Sequence, residues 1–320
     1  MARADVLLVS LGGTAGLRAA DAELAASLRR AGAEVAEVRA ARVREWRTYG
    51  LIELAWARSA RAAARAGIAE QRPRAVLYSS STAALLAPAP GAIRFDAPAA
   101  GNRPGRHGLW QRPVERRRMA HARLLVPWSE GGLAEAPRPR ADAVVVPVPV
   151  APSGRPGERD IAAVTYGANP EKKGLDRVLA AWAAARRPGE ELVVAGVDGP
   201  ARDGVRFAGM LPREEYRALL RRAHAFVCAP RREDYGIAQL EALADGCRLV
   251  TTPSPGPYAA LPLARALDPR LVGGVAEGLR TALDDPAPGY AERALEALAP
   301  WRPEAVDRVV AEQLLPRLLG

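Results

Sequence analysis

Cysteine is nearly absent from these 320 residues: the chain has two, Cys228 and Cys247, both inside apolar stretches and neither in CxxC spacing. A disulfide framework and a thiolate zinc site are therefore not expected, and both residues read as buried thiols. Histidine is as scarce, with three residues and no shared metal-ligand spacing. No stretch approaches the ~20 apolar residues that cross a bilayer. The first apolar run, Val6 to Val9, follows Asp5 and stops before Gly12-Gly13, too short and wrongly flanked for a signal peptide. The expectation is a cytoplasmic protein. Three phenylalanines, scattered, do not supply the aromatic stacking surface of a nucleic-acid binder, so no nucleic-acid partner is expected. Lysine is confined to Lys172 and Lys173 in a chain otherwise supplied with arginine, which makes lysine at that place look selected.

What is present is ordinary for a folded protein: 49% hydrophobic and 26% charged residues. The length exceeds the usual size of one hydrophobic core, so two domains are expected. A net charge of +10 favours anionic partners such as nucleotides, lipid phosphates or a membrane surface. Much of that arginine accompanies heavy alanine use and reads equally well as solvated surface.

Hydrophobic periodicity predicts a strand over 5–10, a helix over 17–30 ended by Gly32, a strand over 34–38, a helix over 51–70 and a strand over 75–79. Such βαβαβ alternation makes a parallel sheet that binds ligands beyond the carboxyl ends of its strands. Proline, glycine and arginine from Pro88 to Pro113 predict a long loop, before a helix over 114–122 and a strand over 124–126. Pro147, Pro149 and Pro152 suit a semi-rigid linker, which sets domains of 1–152 and 153–320. Alternation then restarts: strands over 161–166, 191–195, 205–207, 225–228 and 248–252, with helices over 175–185, 213–222 and 236–244. A final amphipathic helix over 303–319 is expected to pack back towards the first domain. The fold class is α/β, with two Rossmann-like halves.

The most informative string runs Arg231-Arg232-Glu233-Asp234-Tyr235-Gly236-Ile237-Ala238-Gln239-Leu240-Glu241-Ala242-Leu243-Ala244-Asp245-Gly246. Glu233 stands in the loop before a helix and Glu241 on it, so both can face a ligand at the helix N-terminus. Gly236 lets the backbone approach closely, and unpaired amides there favour an anion such as a diphosphate. Taken singly, either glutamate would read as a capping or salt-bridged residue.

This string resembles the E-x7-E signature, E-G-F-G-L-x-x-x-E-A-x-A-x-G, of family 4 (group 1) retaining glycosyltransferases of the GT-B fold, whose two Rossmann-like domains face each other across a cleft. Tyr166-Gly167-Ala168-Asn169-Pro170-Glu171-Lys172-Lys173-Gly174 resembles that family's G-R-L-x-x-x-K-G loop. Leu192 to Pro200 and Val205 to Leu211 resemble its strand-G-x-G-P and V-x-F-x-G-x-V elements. The match is good over 160–320 and loose before it. By this resemblance Glu241 holds the donor ribose, Glu233 contacts the transferred sugar, Gly236 and Ile237 offer amides to the phosphates, and Lys173 stabilises the leaving diphosphate. Gly209, Met210 and Leu211 line the nucleobase; for the last two, ordinary core is an equal reading. Gly12 and Gly13 allow backbone approach to donor phosphate and acceptor. The family arginine that partners the lysine is Ala168 here, and Arg231, Arg232 or an arginine of the 102–118 loop is the candidate replacement. The stretch Ile93 to Asp96 stands where the family carries a histidine, leaving Asp96 as the acceptor-side candidate with Arg103 and Arg106.

The resemblance implies transfer of a hexosyl group from a nucleoside diphosphate sugar to a hydroxyl acceptor, lipid-linked or polysaccharide, in polysaccharide or glycolipid assembly. No cofactor beyond that co-substrate is implied, and in the absence of a DxD motif no essential metal. The arginine-rich segment from Arg103 to Arg123, with Trp110 among it, reads either as a contact to a lipid diphosphate or the inner face of a membrane, or as a solvated helix face paired with Glu115. A nucleotide-sugar-binding pseudoenzyme is the alternative within the fold, since Ala168 and the missing histidine depart from the pattern. A basic nucleic-acid-binding protein ranks below it.

Overall fold

A computed structural model of the chain describes residues 4–43, 49–103, 105–155, 157–200 and 202–320. Strands β1 (Val6–Ser10), β2 (Val35–Arg39), β3 (Ala75–Tyr78), β4 (Ala92–Phe95) and β5 (Leu124–Pro127) make one parallel sheet in the order β2-β1-β3-β4-β5. Strands β6 (Ile161–Tyr166), β7 (Leu192–Ala195), β8 (Val205–Gly209), β9 (Ala223–Val227) and β10 (Arg248–Val250) make a second, also parallel, in the order β10-β9-β6-β7-β8. Parallel neighbours require crossovers. In the first sheet these are α1 (Ala15–Arg30), α2 (Tyr49–Gln71), α3 (Ser81–Ala84), α4 (Ala99–Asn102) and α5 (Gln111–Ala120), and α6 (Glu130–Glu135) follows β5. In the second they are α7 (Pro170–Lys173), α8 (Leu175–Ala185), α9 (Arg213–Arg222) and α10 (Ile237–Ala244), followed by helices Ala260–Leu267, Val275–Asp284 and Tyr290–Ala297. Strands covered on both faces carry continuous apolar runs, as in Val-Leu-Leu-Val-Ser of β1 and Ala-Val-Leu-Tyr of β3, which are wholly buried. The edge strand β2 is only partly buried and admits Glu37 and Arg39.

The chain divides into two units, Met1–Pro149 with Pro303–Gly320, and Val150–Arg302. The division falls at Pro149/Val150 rather than at residue 152, and the last eighteen residues join the first unit. Val306, Val310, Leu314 and Leu318 sit in one core with Val6, Leu8, Leu24, Leu28 and Leu77. A four-residue spacing drifts by about 40° per step around a straight α-helix. The turn of π-helix at Val310–Leu314, between the helical segments Pro303–Val309 and Leu315–Leu319, widens the winding and keeps that stripe on the sheet. Arg30 and Ser27 of α1 fasten the same segment through Asp307, at 2.7 and 2.5 Å.

One sequence expectation is overturned here. The stretch from Pro88 to Pro113, read as a loop, contains the buried strand β4, helix α4, a 3-10 turn at Gly105–Gly108 and the start of α5. A four-residue strand with an arginine at its centre gives no apolar run. Arg94 is nevertheless 1% exposed: its Nη1 donates to the Ala20 carbonyl at 3.1 Å and lies 3.4 Å from Asp21, and its guanidinium stands 4.9 Å from the Trp128 ring centre. Ser10 donates to the same Asp21. Burial pushes the Asp21 carboxyl up, against the pull of Arg94. A buried charge is tolerated only when paired in this way.

Candidate functional site

In the second sheet β6 lies between β7 and β9, so the connections leaving β6 and β9 part to opposite sides. The crevice beyond their carboxyl ends is the topological switch point, where open α/β sheets bind ligands. Two loops meet there. The one after β6 turns through left-handed Asn169, whose side chain caps α7 by accepting from the Lys172 amide at 3.2 Å. The one after β9 runs to Gly236. A main-chain bond from the Arg231 amide to the Lys172 carbonyl, 2.9 Å, stitches them together.

Across that stitch the only two lysines meet two consecutive acids. Lys173 Nζ donates to Glu233 Oε2 at 2.6 Å, and Lys172 pairs with Asp234. Glu233 also accepts from Gln239 Nε2 at 2.9 Å and is 4% exposed, whereas the Lys173 side chain keeps 23% of its surface open. Arg232 Nε holds the other side of Asp234 at 2.6 Å. Burial works against the Asp234 charge, but Lys172 and Arg232 outweigh it and hold the carboxyl below its ordinary range.

Helix α10 begins directly after Gly236, whose φ of +94° is a left-handed conformation. A Cβ at Gly236 would stand 3.0 Å from the Tyr258 ring and 3.3 Å from Gln239 Oε1, so glycine is required both for the turn and for the space. No side chain caps the helix there, which leaves its first-turn amides, Ile237 among them, for an anion. Tyr235 is tethered by the Trp301 indole, Nε1 to hydroxyl 3.0 Å. Glu241 follows on α10 and accepts from Arg213 at 2.9 Å and from Arg217 at 3.4 Å. Burial raises its pKa, with Arg217 and Arg213 opposing. Arg217 is itself held by Asp245 at 2.6 Å.

The structure thus brings Glu233, Lys173, Gly236 and Ile237 together, with Glu241 further along the same helix. Gly209 ends β8 in the left-handed region, φ +64°. Met210 beyond it is 66% exposed, which removes the core reading for that residue, and Leu211 is half-buried. The candidates Gly12, Gly13, Asp96, Arg103 and Arg106 belong to the first unit. Asp96 accepts from the Ala97 amide at 2.7 Å, Arg103 holds Glu53 at 2.9 Å, and Arg106 is exposed on the 3-10 turn. Of the proposed replacements for the arginine at Ala168, Arg231 grips Asp176 with both terminal nitrogens, 2.7 and 2.6 Å. The arginines of α5 do not pair with Glu115: Arg112, Arg116 and Arg118 donate to the carbonyls of Arg103, Arg138 and Leu85.

Sequence reasoning did not single out Gln239, Asp234, Arg213 and Arg217. The one available signal was the doublet Lys172-Lys173 mirrored by Glu233-Asp234. Among the described residues no cluster of three or more metal-ligating side chains occurs, and no helix is long and apolar enough to cross a membrane.

Residues 152–292, all within the second unit, match the family model for glycosyl transferases group 1. Glycogen synthase of Mycobacterium tuberculosis (strain ATCC 25618 / H37Rv) is 36% identical over 134 residues, which cover 36% of this chain; the match spans about a third, 32%, of that relative. Among solved structures, sucrose-phosphate synthase from Thermosynechococcus elongatus superposes with a TM-score of 0.77 at 17% identity, covering 99% of both chains. HepE from Anabaena, solved with UDP and glucose, gives 0.71 at 12% identity, covering 98% of this chain and 99% of that one. The fold of the chain is therefore that of the GT-B glycosyltransferases, and its second unit carries the group 1 glycosyl transferase pattern.

Proposed function

We propose that the protein is a retaining glycosyltransferase that moves a hexosyl group from a nucleoside diphosphate sugar to a hydroxyl acceptor in glycan assembly. The observation that carries this reading is the joint placement of Lys173 and Glu233, 2.6 Å apart, beside the uncapped N-terminus of α10. The diphosphate lies against the Ile237 end of that helix, where amides and dipole favour negative charge. Lys173 stabilises the charge that grows on the leaving phosphate, and Glu233 orients the sugar. Glu241, steered by Arg213 and Arg217, takes the ribose hydroxyls. The positive charge comes from a lysine and main-chain amides, so turnover needs no metal and survives a chelator. HepE, a structural neighbour solved with UDP and glucose, makes UDP-glucose the first donor to try, with GDP-mannose beside it.

The test is calorimetric titration of UDP, GDP, UDP-glucose and GDP-mannose, without metal, into the wild-type protein and into Lys173→Ala and Glu241→Ala. One nucleotide binding in the micromolar range, and weakened at least tenfold in both variants, is the expected result. Absence of binding by all four sinks the reading. The anomeric configuration of the product, followed by NMR, decides retention. A catalytically weakened nucleotide-sugar binder is the second reading, favoured by Ala168 and by the commitment of Arg231 to Asp176; it predicts nucleotide binding with neither transfer nor donor hydrolysis.

A further inference from the structure

The first unit contains a cavity of about 360 Å³ lined by Leu11, Gly12, Arg18, Arg39, Ala40, Arg42 and Trp56. It lies at the carboxyl ends of β1 and β2, where the loop of Leu11 and Gly12 leads into α1. Its size falls in the range of small-ligand sites. Its chemistry is one-sided: three guanidinium groups and one indole, with no carboxylate among the described lining residues.

Local geometry explains why these side chains converge. Gly12 has φ +63°, and a Cβ there would stand 2.7 Å from Arg39 Cδ, so the bare α-carbon makes room for the arginine to cross the β1 loop. Gly13 faces Trp56, whose Cζ2 lies 3.9 Å from where a Cβ would be. Arg18 holds the loop through a 2.9 Å bond from Nη1 to the Gly12 carbonyl. Thr14 caps α1 by accepting from the Leu17 amide, and the first-turn amides of this sixteen-residue helix open at the same place.

The three arginines differ from those of this chain that pair with acids. Arg94, Arg103, Arg187, Arg213, Arg217, Arg231, Arg270 and Arg280 all hold carboxylates. Among the described residues Arg18, Arg39 and Arg42 form no ion pair; Asp21, which feels the charge of Arg39, is already engaged by Ser10 and Arg94. Arg39 and Arg42 are exposed at the cavity and Trp56 is half-buried. Guanidinium groups match phosphate oxygens two at a time, and a phosphomonoester carries close to two charges at neutral pH. A half-buried indole offers a flat apolar face with a polar edge, suited to the carbon face of a sugar ring.

We infer that this cavity binds a sugar phosphate, the phosphate held by Arg18, Arg39 and Arg42 and the ring laid on Trp56, and that such a phosphorylated sugar is the acceptor. The second clause rests on the glycosyltransferase reading above; the first does not. The phosphate is a recognition handle and is not consumed: the sugar hydroxyl forms the new glycosidic bond, its proton leaves with the nucleoside diphosphate, and the phosphomonoester stays on the product.

The test uses the full chain and direct titration with glucose 6-phosphate, mannose 6-phosphate and fructose 6-phosphate, against the unphosphorylated hexoses and inorganic phosphate alone. Vesicles of phosphatidylcholine containing phosphatidic acid supply a lipid phosphate as a separate arm. At least one hexose phosphate is expected to bind at least ten times more tightly than its unphosphorylated form and than phosphate itself. Arg39→Gln and Arg42→Gln, both at exposed positions, are expected to weaken it about ten- to a hundredfold, as the loss of a charge-assisted hydrogen bond does. Arg39→Lys recovers part of the loss, and Trp56→Leu lowers the preference for the sugar phosphate over phosphate. UDP binding stays unchanged in these variants, and in turnover the KM for the acceptor rises while that for the donor does not. Equal binding of phosphorylated and free hexoses, binding confined to the vesicles, or undiminished affinity in a folded Arg39→Gln/Arg42→Gln protein would overturn the inference. If hexose phosphate binds as expected and no nucleotide does, the cavity stands and the glycosyltransferase reading falls.

Discussion

The loops that follow the first strand of each sheet carry positive charge in different ways. After β6, Lys172 and Lys173 are matched one for one by Asp234 and Glu233. Around the loop after β1, Arg18 of α1, Arg39 at the end of β2 and Arg42 beyond it gather at a cavity without an ion pair among the described residues. A matched cation is held in one place by its partner carboxylate. An unmatched cluster leaves its charge for the ligand to satisfy. Two buried acids, one in each unit, differ as well. Asp234 is held low by Lys172 and Arg232 in spite of its burial. Glu115 of α5, 2% exposed, is pushed by burial up to about 7; bonds from Ser81 and the Ala99 amide and the field of Arg103 oppose this only partly.

The sharpest way to break this contrast is to remove the matched lysine. Lys173→Ala is expected to lower kcat/KM by about 100-fold or more, roughly 3 kcal/mol, the cost of losing one group that stabilises charge in the transition state. Steady-state kinetics with the donor identified by calorimetry reads it. Turnover that survives Lys173→Ala but collapses in Arg39→Gln would reverse the roles assigned to the two loops.

Titration tests the buried acids. Glu115 has a folded-state pKa of about 7 against 4.5 unfolded, so the native state binds the extra proton. Its stabilising contribution is complete below pH 4.5 and is lost as the pH rises through 7, a change of roughly 3 kcal/mol. Urea unfolding of Glu115→Gln between pH 4.5 and 8 should lack that decline, and identical slopes for variant and wild type would refute the assignment. Asp234 has the opposite sign. Its depressed pKa contributes stability that is present above pH 3.8 and disappears as the pH falls through the folded value, so Asp234→Asn lowers stability at neutral pH and flattens the acid limb.

The smallest effect is expected at the turn into α10. Gly236→Ala places a Cβ against Tyr258 in a left-handed conformation and costs about 1–2 kcal/mol of stability. The same displacement narrows the anion site, so nucleotide affinity falls with it. A stable Gly236→Ala protein with unchanged nucleotide affinity would separate the site from the helix terminus.

Several parts of this protein were legible from residues alone because they depend on local physics. Buried parallel strands show as apolar runs, as in β1, β3 and β6. The E-x7-E string carries its own turn glycine and helix start, and the lysine doublet stands out because lysine occurs nowhere else. β4 was not legible, because Arg94 at its centre disguises a buried strand whose charge is met by Asp21, 73 residues away in sequence. Gln239, Arg213 and Arg217 were likewise hidden: nothing in a sequence says which of many polar side chains will reach a given carboxylate.

By itself the sequence determined the α/β alternation, the two halves, the boundary to within three residues, and the string that places two glutamates at a helix start. Each of these rests on interactions between residues close in the chain. Tertiary structure decided which lysine meets which acid, that residues 303–320 complete the core of the first unit, and that Arg18, Arg39, Arg42 and Trp56 share one cavity. Those outcomes depend on strand order, which sets β9 beside β6 and β2 beside β1. Side chains from distant stretches converge only after the sheets have formed.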